Sequence, residues 1–364
     1  MKPVTVSLYF CPEWWDHHYH CAKPRPAKRD QAALEAMYLG RERFLFEQFG
    51  GYGLGREHPQ LGSGQIATVI RYGFDLIPAL LGTRLEFCEA WGFYPVLRPL
   101  AELEGLAAVD IAEHAEHEWI VREKTRLEKR YGGCSHCIDM GSVSNNAFRI
   151  IGEEFYAALL TDRAACLRLL EAIITTERYL YRFLRKLFPP MDPVPISNCN
   201  ASLMGPKLYE EVILAFDGRQ NRFAEQETGV APRAALHHCD VPADDFLAAY
   251  AQLPGVASLQ ASFLTDIRAV KEKIPGCDFS AMVNLPAMLW EPERFRDKIR
   301  RALQAGATEL AMWNIDPKVA PPRLNDLLGI IAACCAEGGN KAEFSGMPLC
   351  WDELEWARAD YQQS

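Results

Sequence analysis

The chain reads as an α/β protein, a single (β/α)8 barrel of the TIM type with an irregular amino-terminal cap. Three observations predict it. The second half alternates short apolar runs with amphipathic stretches, in five successive strand-helix units. The connections are short enough for each strand to lie beside the next. The length of 364 residues suits one such domain, with space for three more units before residue 195.

In chain order, residues 1–60 are expected to form the cap and residues 61–364 the barrel. Tyr9-Phe-Cys-Pro-Glu-Trp-Trp-Asp-His-His-Tyr-His-Cys is aromatic and irregular, and a proline-broken basic patch containing Arg25 and Arg29 follows. Leu34, Met37, Leu45 and Phe49 then recur at helical spacing over 30–49. Gly50-Gly-Tyr-Gly-Leu-Gly ends that helix. A dinucleotide loop would follow a strand and open a helix, whereas here a helix precedes and His58-Pro59 follows, so the segment is a turn.

Runs between 67 and 97 are cut by Gly73, Pro78, Gly82, Gly92 and Pro95, as strands and turns would be. A charged helix over 111–129 and two helices from 147 to 187, meeting near Thr161-Asp162, complete the first half. The units of the second half are strand 195–204 with helix 206–226, strand 234–239 with helix 243–253, and strand 257–263 with helix 265–274. Strand 278–285 with helix 292–305 and strand 309–315 with helix 322–337 follow.

Composition narrows the partners. Net charge is −9 and the basic residues are dispersed, which excludes a nucleic-acid surface and favours a small-molecule substrate. The apolar stretch after Met1-Lys2 breaks at Cys11-Pro12-Glu13, too early for a secretory leader, and no run is long enough to cross a membrane. Twelve cysteines are then expected to be reduced, in a cytoplasmic protein. Association as a homodimer is left open.

In a barrel the carboxyl ends of strands line the reaction face. Here those ends carry Asn198-Cys199-Asn200, His237-His238-Cys239-Asp240, Gln260, Asn284 and Trp313-Asn-Ile-Asp316. Two histidines, a cysteine and an aspartate in four positions suit metal ligation or proton transfer. The bland alternative is a pair of half-buried histidines beside a packed cysteine.

Asn198-Cys-Asn-Ala-Ser-Leu-Met-Gly-Pro-Lys-Leu-Tyr, the His-x-Cys at 237 and 239, Val283-Asn-Leu-Pro and Trp313-Asn-Ile-Asp-Pro-Lys-Val-Ala-Pro together resemble the uroporphyrinogen decarboxylase superfamily. Gly141-Ser-Val-Ser-Asn-Asn-Ala-Phe-Arg-Ile-Ile-Gly-Glu-Glu-Phe adds to the likeness, which runs from about residue 60 to the carboxyl end. The resemblance implies a (β/α)8 barrel and one of two activities: metal-free decarboxylation of a porphyrinogen, or zinc-dependent methyl transfer between a corrinoid and a thiol. The closely spaced arginines and the strand-end aspartate of the decarboxylases are missing, since Arg25 and Arg29 stand in another context and Asn198 or Asn200 replaces the aspartate.

The methyltransferase branch implies zinc on His237 and Cys239 plus a distant cysteine. The Trp313-Asn-Ile-Asp-Pro segment, where that cysteine would lie, has none. Asp316 or Cys277 is the expected third ligand, and Cys199 is a further candidate. Asn198, Asn200, Gln260, Asn284 and Tyr209 are expected to bind substrate, and the corrinoid to arrive on a separate carrier protein. One alternative is a metal-free decarboxylase or lyase with His237 or His238 as general acid and Asp240 setting its pKa. The other is a non-catalytic barrel that binds a corrinoid or a partner protein.

Two further groupings read as packing. Glu13, Asp16, His17, His18, His20 and Cys21 are taken as an aromatic surface segment whose Trp14 and Trp15 are buried. Cys134-x-x-Cys137 lacks a second pair at zinc-ribbon spacing.

Overall fold

The computed structural model describes residues 3–19, 31–61, 67–68, 75–88, 92–136, 140–188, 193–239 and 241–347. Asp240, His20, Cys21, Arg25, Arg29 and Cys137 lie outside them. The strands are β1 (Pro3–Phe10), β2 (Ala67–Thr68), β3 (Leu85–Cys88), β4 (Gly92–Pro95), β5 (Ser135–His136), β6 (Val194–Asn198), β7 (Ala234–His238), β8 (Val256–Ser262), β9 (Asp278–Val283), β10 (Glu309–Ile315) and β11 (Lys341–Met347). Seven of them form one sheet in the order β11-β1-β10-β9-β8-β7-β6, with every neighbouring pair parallel. β2 and β5 pair in parallel, and β3 with β4 makes an antiparallel hairpin.

From β6 to β10 the expected alternation holds, and each strand is followed by helix. One boundary differs. The strand expected over 195–204 stops at Asn198, and helix already runs from Ala201 to Leu208. Gly205, at φ 73°, breaks that run, so a short helical turn from Ala201 precedes the helix that starts at Pro206, where one was expected.

The amino-terminal segment departs from the irregular cap expected there. Pro3–Phe10 is an inner strand paired on both sides, with Thr5 opposite Glu309 and Glu343. Val4, Val6, Leu8 and Phe10 are buried and alternate with Thr5, Ser7 and Tyr9, the period of a strand. The helix Pro12–Tyr19 then buries Trp14 and Trp15 completely, and the Trp14 indole donates to the Val319 carbonyl at 2.8 Å. The glycine run after helix Gln31–Phe49 is a turn, as expected. A side chain at Gly55 would collide with the backbone of Glu42 and Phe46.

The two faces of the sheet differ. On β7, Leu236 and His238 are buried while Ala235 and His237 are half-buried. His238 packs on Phe246 and Tyr250 of the segment that follows β7, and Asn198 meets Tyr209 and Asp217 of the helices after β6. Even-numbered positions of these two strands thus face the helices, and odd-numbered ones face away.

Candidate metal centre

Ser197 lies opposite His237, and Asn198 opposite His238, so Cys199 and Cys239 leave neighbouring strand ends side by side on the face away from the helices. The sulfurs of Cys199 and Cys239 and a ring nitrogen of His237 all lie within 4.8 Å of one another, and all three residues are half-buried. This is the one group among the described residues with such a ligand set. Tetrahedral zinc with bonds of about 2.3 Å to sulfur and about 2.0 Å to nitrogen would hold such atoms roughly 3.5–3.8 Å apart, so small side-chain shifts suffice. Two sulfurs and one imidazole are a zinc donor set. Having three protein ligands, it matches sites that keep a fourth position for substrate.

The imidazole is oriented for this role. His237 Nδ1 lies 2.7 Å from Gln260 Oε1, an atom that only accepts, so Nδ1 carries a proton and Nε2 is the nitrogen left to face a metal. The Gln260 amide is itself fixed by donating to Ser280 Oγ at 3.2 Å. These three residues lie in register across β7, β8 and β9. Trp313 of β10 stacks at a tilt against His237, ring centres 5.7 Å apart, and Tyr9 packs on Trp313 at 4.6 Å.

The Cys199 thiol is pulled down to about 4 by the hydrogen bond from Cys239, and further by His237 and by a hydrogen bond from Asn145, despite its burial. A thiolate is the form that binds metal. Asn145 sits on the helix Val143–Ile151 and accepts the Asn200 backbone N–H at 3.3 Å through Oδ1, which leaves its amide nitrogen to face the sulfur. Asn200 is pinned by donating to the Ser144 carbonyl at 3.0 Å and accepting from the Ser144 hydroxyl at 2.9 Å. Beyond Cys199, Asn145 and Asn200 opens a cavity of about 1070 Å³.

Several residues expected at the site stand elsewhere. Cys277 precedes β9 and is fully buried at the amino end of the sheet, so the strand's length of about 20 Å separates it from the ligands. Asp316 lies outside the group. It caps the turn after β10 by accepting the Lys318 N–H at 2.9 Å, and its charge acts on Cys11. Cys199 stands instead as the third member of the group that could hold a metal. Asn284 sits at the carboxyl end of β9, where its carbonyl accepts from Ala287 at 3.0 Å to open the next helix.

Asn198, Tyr209 and His238 belong to a sealed network instead of a substrate surface. Asn198 Nδ2 and Tyr209 Oη both donate to Asp217 Oδ2, at 2.8 and 2.6 Å. Burial raises Asp217 to about 6 against the lowering effect of those two bonds. His238 Nδ1 shares a 2.7 Å hydrogen bond with Tyr250 Oη, and burial, with the neighbouring His237, holds its pKa down to about 4. Asn145 and Ser280 were not singled out from the sequence, although Asn145 stands within a motif quoted above, and Trp313 entered only as part of the strand-end run to Asp316.

No protein-family model and no curated protein sequence matches the chain. Among solved structures, a methyltransferase from Methanosarcina mazei is similar, with 15% identity over 100% of this chain and 94% of that chain, at a TM-score of 0.54. The likeness is one of fold. No helix among the described residues is long and apolar enough to cross a membrane, and the eight cysteines with described side chains are all reduced thiols.

Proposed function

We propose that this chain is a cytoplasmic, zinc-dependent methyltransferase of the uroporphyrinogen decarboxylase superfamily, moving a methyl group from a corrinoid on a separate carrier protein to a thiol. The observation that carries the reading is the Cys199, His237 and Cys239 triad at two adjacent strand ends beside a large cavity. We also take the sheet to close as a barrel, with β2 and β5 between its two edges. In support, His237 and Trp313 meet although three strand spacings, about 14 Å in a flat sheet, separate β7 from β10.

Zinc, when bound, lowers the pKa of a thiol and so makes the nucleophile available at neutral pH. The protein's own part is to hold the donors and exclude competitors. Gln260 keeps a His237 proton on Nδ1, and Cys239, then His237 and last Asn145 favour the Cys199 thiolate. Two thiolates balance a divalent charge, which leaves the substrate sulfur more electron-rich than a carboxylate ligand would. The acceptor sulfur forms the new S–C bond, the thiol proton goes to solvent, and the electron pair of the broken donor–carbon bond stays on the donor.

The test is metal analysis joined to a methyl-transfer assay with free methylcobalamin and a panel of thiols. About one zinc per chain, lost together with transfer in Cys239→Ala, supports the reading. A metal-free protein that decarboxylates an acid would overturn it in favour of the lyase alternative.

A further inference from the structure

The cavity next to Cys199 has a composition that constrains what enters it. Leu97, Phe148, Ile151 and Leu203 give it apolar walls, and the Leu97 and Leu203 side chains are 56% and 65% exposed. Apolar surface of this kind beside a reactive group is what a ligand covers.

The charges around it are unfavourable for an anion. Three carboxylates, Glu86, Glu153 and Glu154, line the cavity against a single cation among the described lining residues, Arg149, and of the three acids Glu86 is ion-paired with Arg84. That cation is already engaged, with Nε 3.2 Å from the buried carboxylate of Asp75. A sulfonate, carboxylate or phosphate tail would therefore meet net negative charge and no uncommitted guanidinium.

Resting on the methyltransferase reading above, we infer that the acceptor is a thiol on an apolar, uncharged body, which the cavity takes up with the sulfur toward Cys199. A two-carbon anionic thiol would leave most of the 1070 Å³ to water. Each methylene buried against the leucines and Phe148 should tighten binding about fourfold. The apolar body selects the substrate while the donors act on its sulfur.

The experiment titrates the cobalt(II)-loaded protein with ethanethiol, butanethiol, hexanethiol and 2-mercaptoethanesulfonate, reading the sulfur-to-cobalt charge-transfer band. Expected is a dissociation constant that falls at least tenfold from ethanethiol to hexanethiol, with the sulfonate weaker than ethanethiol. Leu203→Glu, on an exposed side chain, should flatten the series by weakening hexanethiol at least tenfold and ethanethiol less. A band that responds equally to all chain lengths, or best to the sulfonate, overturns the inference and leaves the methyltransferase reading standing. If cobalt gives no tetrahedral spectrum, or no thiol perturbs it, that reading falls and takes the inference with it.

Discussion

Asn198 and His238 sit opposite each other on β6 and β7, and so do Ser197 and His237 one residue earlier, yet the two pairs live in different chemistry. The first pair is turned to the helices, fully buried, and tied into Tyr209, Asp217 and Tyr250. The second pair, continued by Cys199 and Cys239, is turned the other way, and although Ser197 is buried, His237 and the two cysteines are half-open. One residue of strand parity decides whether a polar side chain braces the fold or faces a ligand. Neighbouring positions with similar chemistry therefore have separate surroundings, one sealed against the helices and one at the candidate metal group.

The sharpest way to break that contrast is to remove a donor from the open face. Cys239→Ala or Cys199→Ser should cost metal affinity more than the roughly 10–100-fold typical of outer partners, while the thermal transition of the metal-free protein barely moves. Zinc content after dialysis, with calorimetry of the metal-free forms, measures both. If Cys199→Ser kept full affinity, the third donor would have to be sought again.

The helix-facing side should answer to pH instead. Asp217 is raised in the fold, so its contribution is complete below the ordinary aspartate pKa and is lost as pH rises toward about 6. His238 is lowered, so its neutral burial destabilises below about pH 6.5, and that cost shrinks as pH rises from about 4. Each effect is on the order of 3 kcal/mol and the two oppose one another between pH 4 and 6. Asp217→Asn should therefore leave a stability that climbs steeply through that window, where the parent is nearly flat, as urea melts at several pH values would show. An unchanged slope would mean that Asp217 is not protonated in the fold.

Smaller effects should follow at the join between the two faces. Gln260→Leu removes the acceptor for His237 Nδ1–H and should weaken zinc about 10–100-fold without unfolding the protein. Tyr209→Phe should cost about 1–3 kcal/mol in stability and leave metal binding alone, since it strips one donor from a buried carboxyl. Least of all, Asp316→Asn should leave the zinc dissociation constant within twofold, as competition with a chelating dye can measure. A larger change there would return Asp316 to the ligand set.

Much of this was legible in the sequence. The strand-helix rhythm from Ala234 to Glu337 predicts its elements closely, because their apolar runs are long and their ends are marked by Pro, Gly and Asp. The Val4, Val6, Leu8 alternation also spells a strand, but it is short and runs straight into an aromatic, histidine-rich segment that has no such period. β11, Lys341–Met347, alternates exposed Lys341, Glu343 and Ser345 with half-buried Ala342 and Phe344, and carries no apolar run to mark it. At the site, His237 and Cys239 could be picked out by type and spacing. The choice of Cys199 over Asp316 and Cys277 could not, because it depends on register between two strands some forty residues apart, which the local pattern does not contain.

The pairing of β1 with β10 sets a schedule for synthesis. Ser7 donates to Glu309 across a separation of 302 residues, so β1 waits for this neighbour until the ribosome has added that many more residues. At roughly 5–20 residues per second the delay is about 15–60 s, during which an apolar strand with two open edges must be kept from other chains. Nascent-chain chaperones should engage this protein early and release it late.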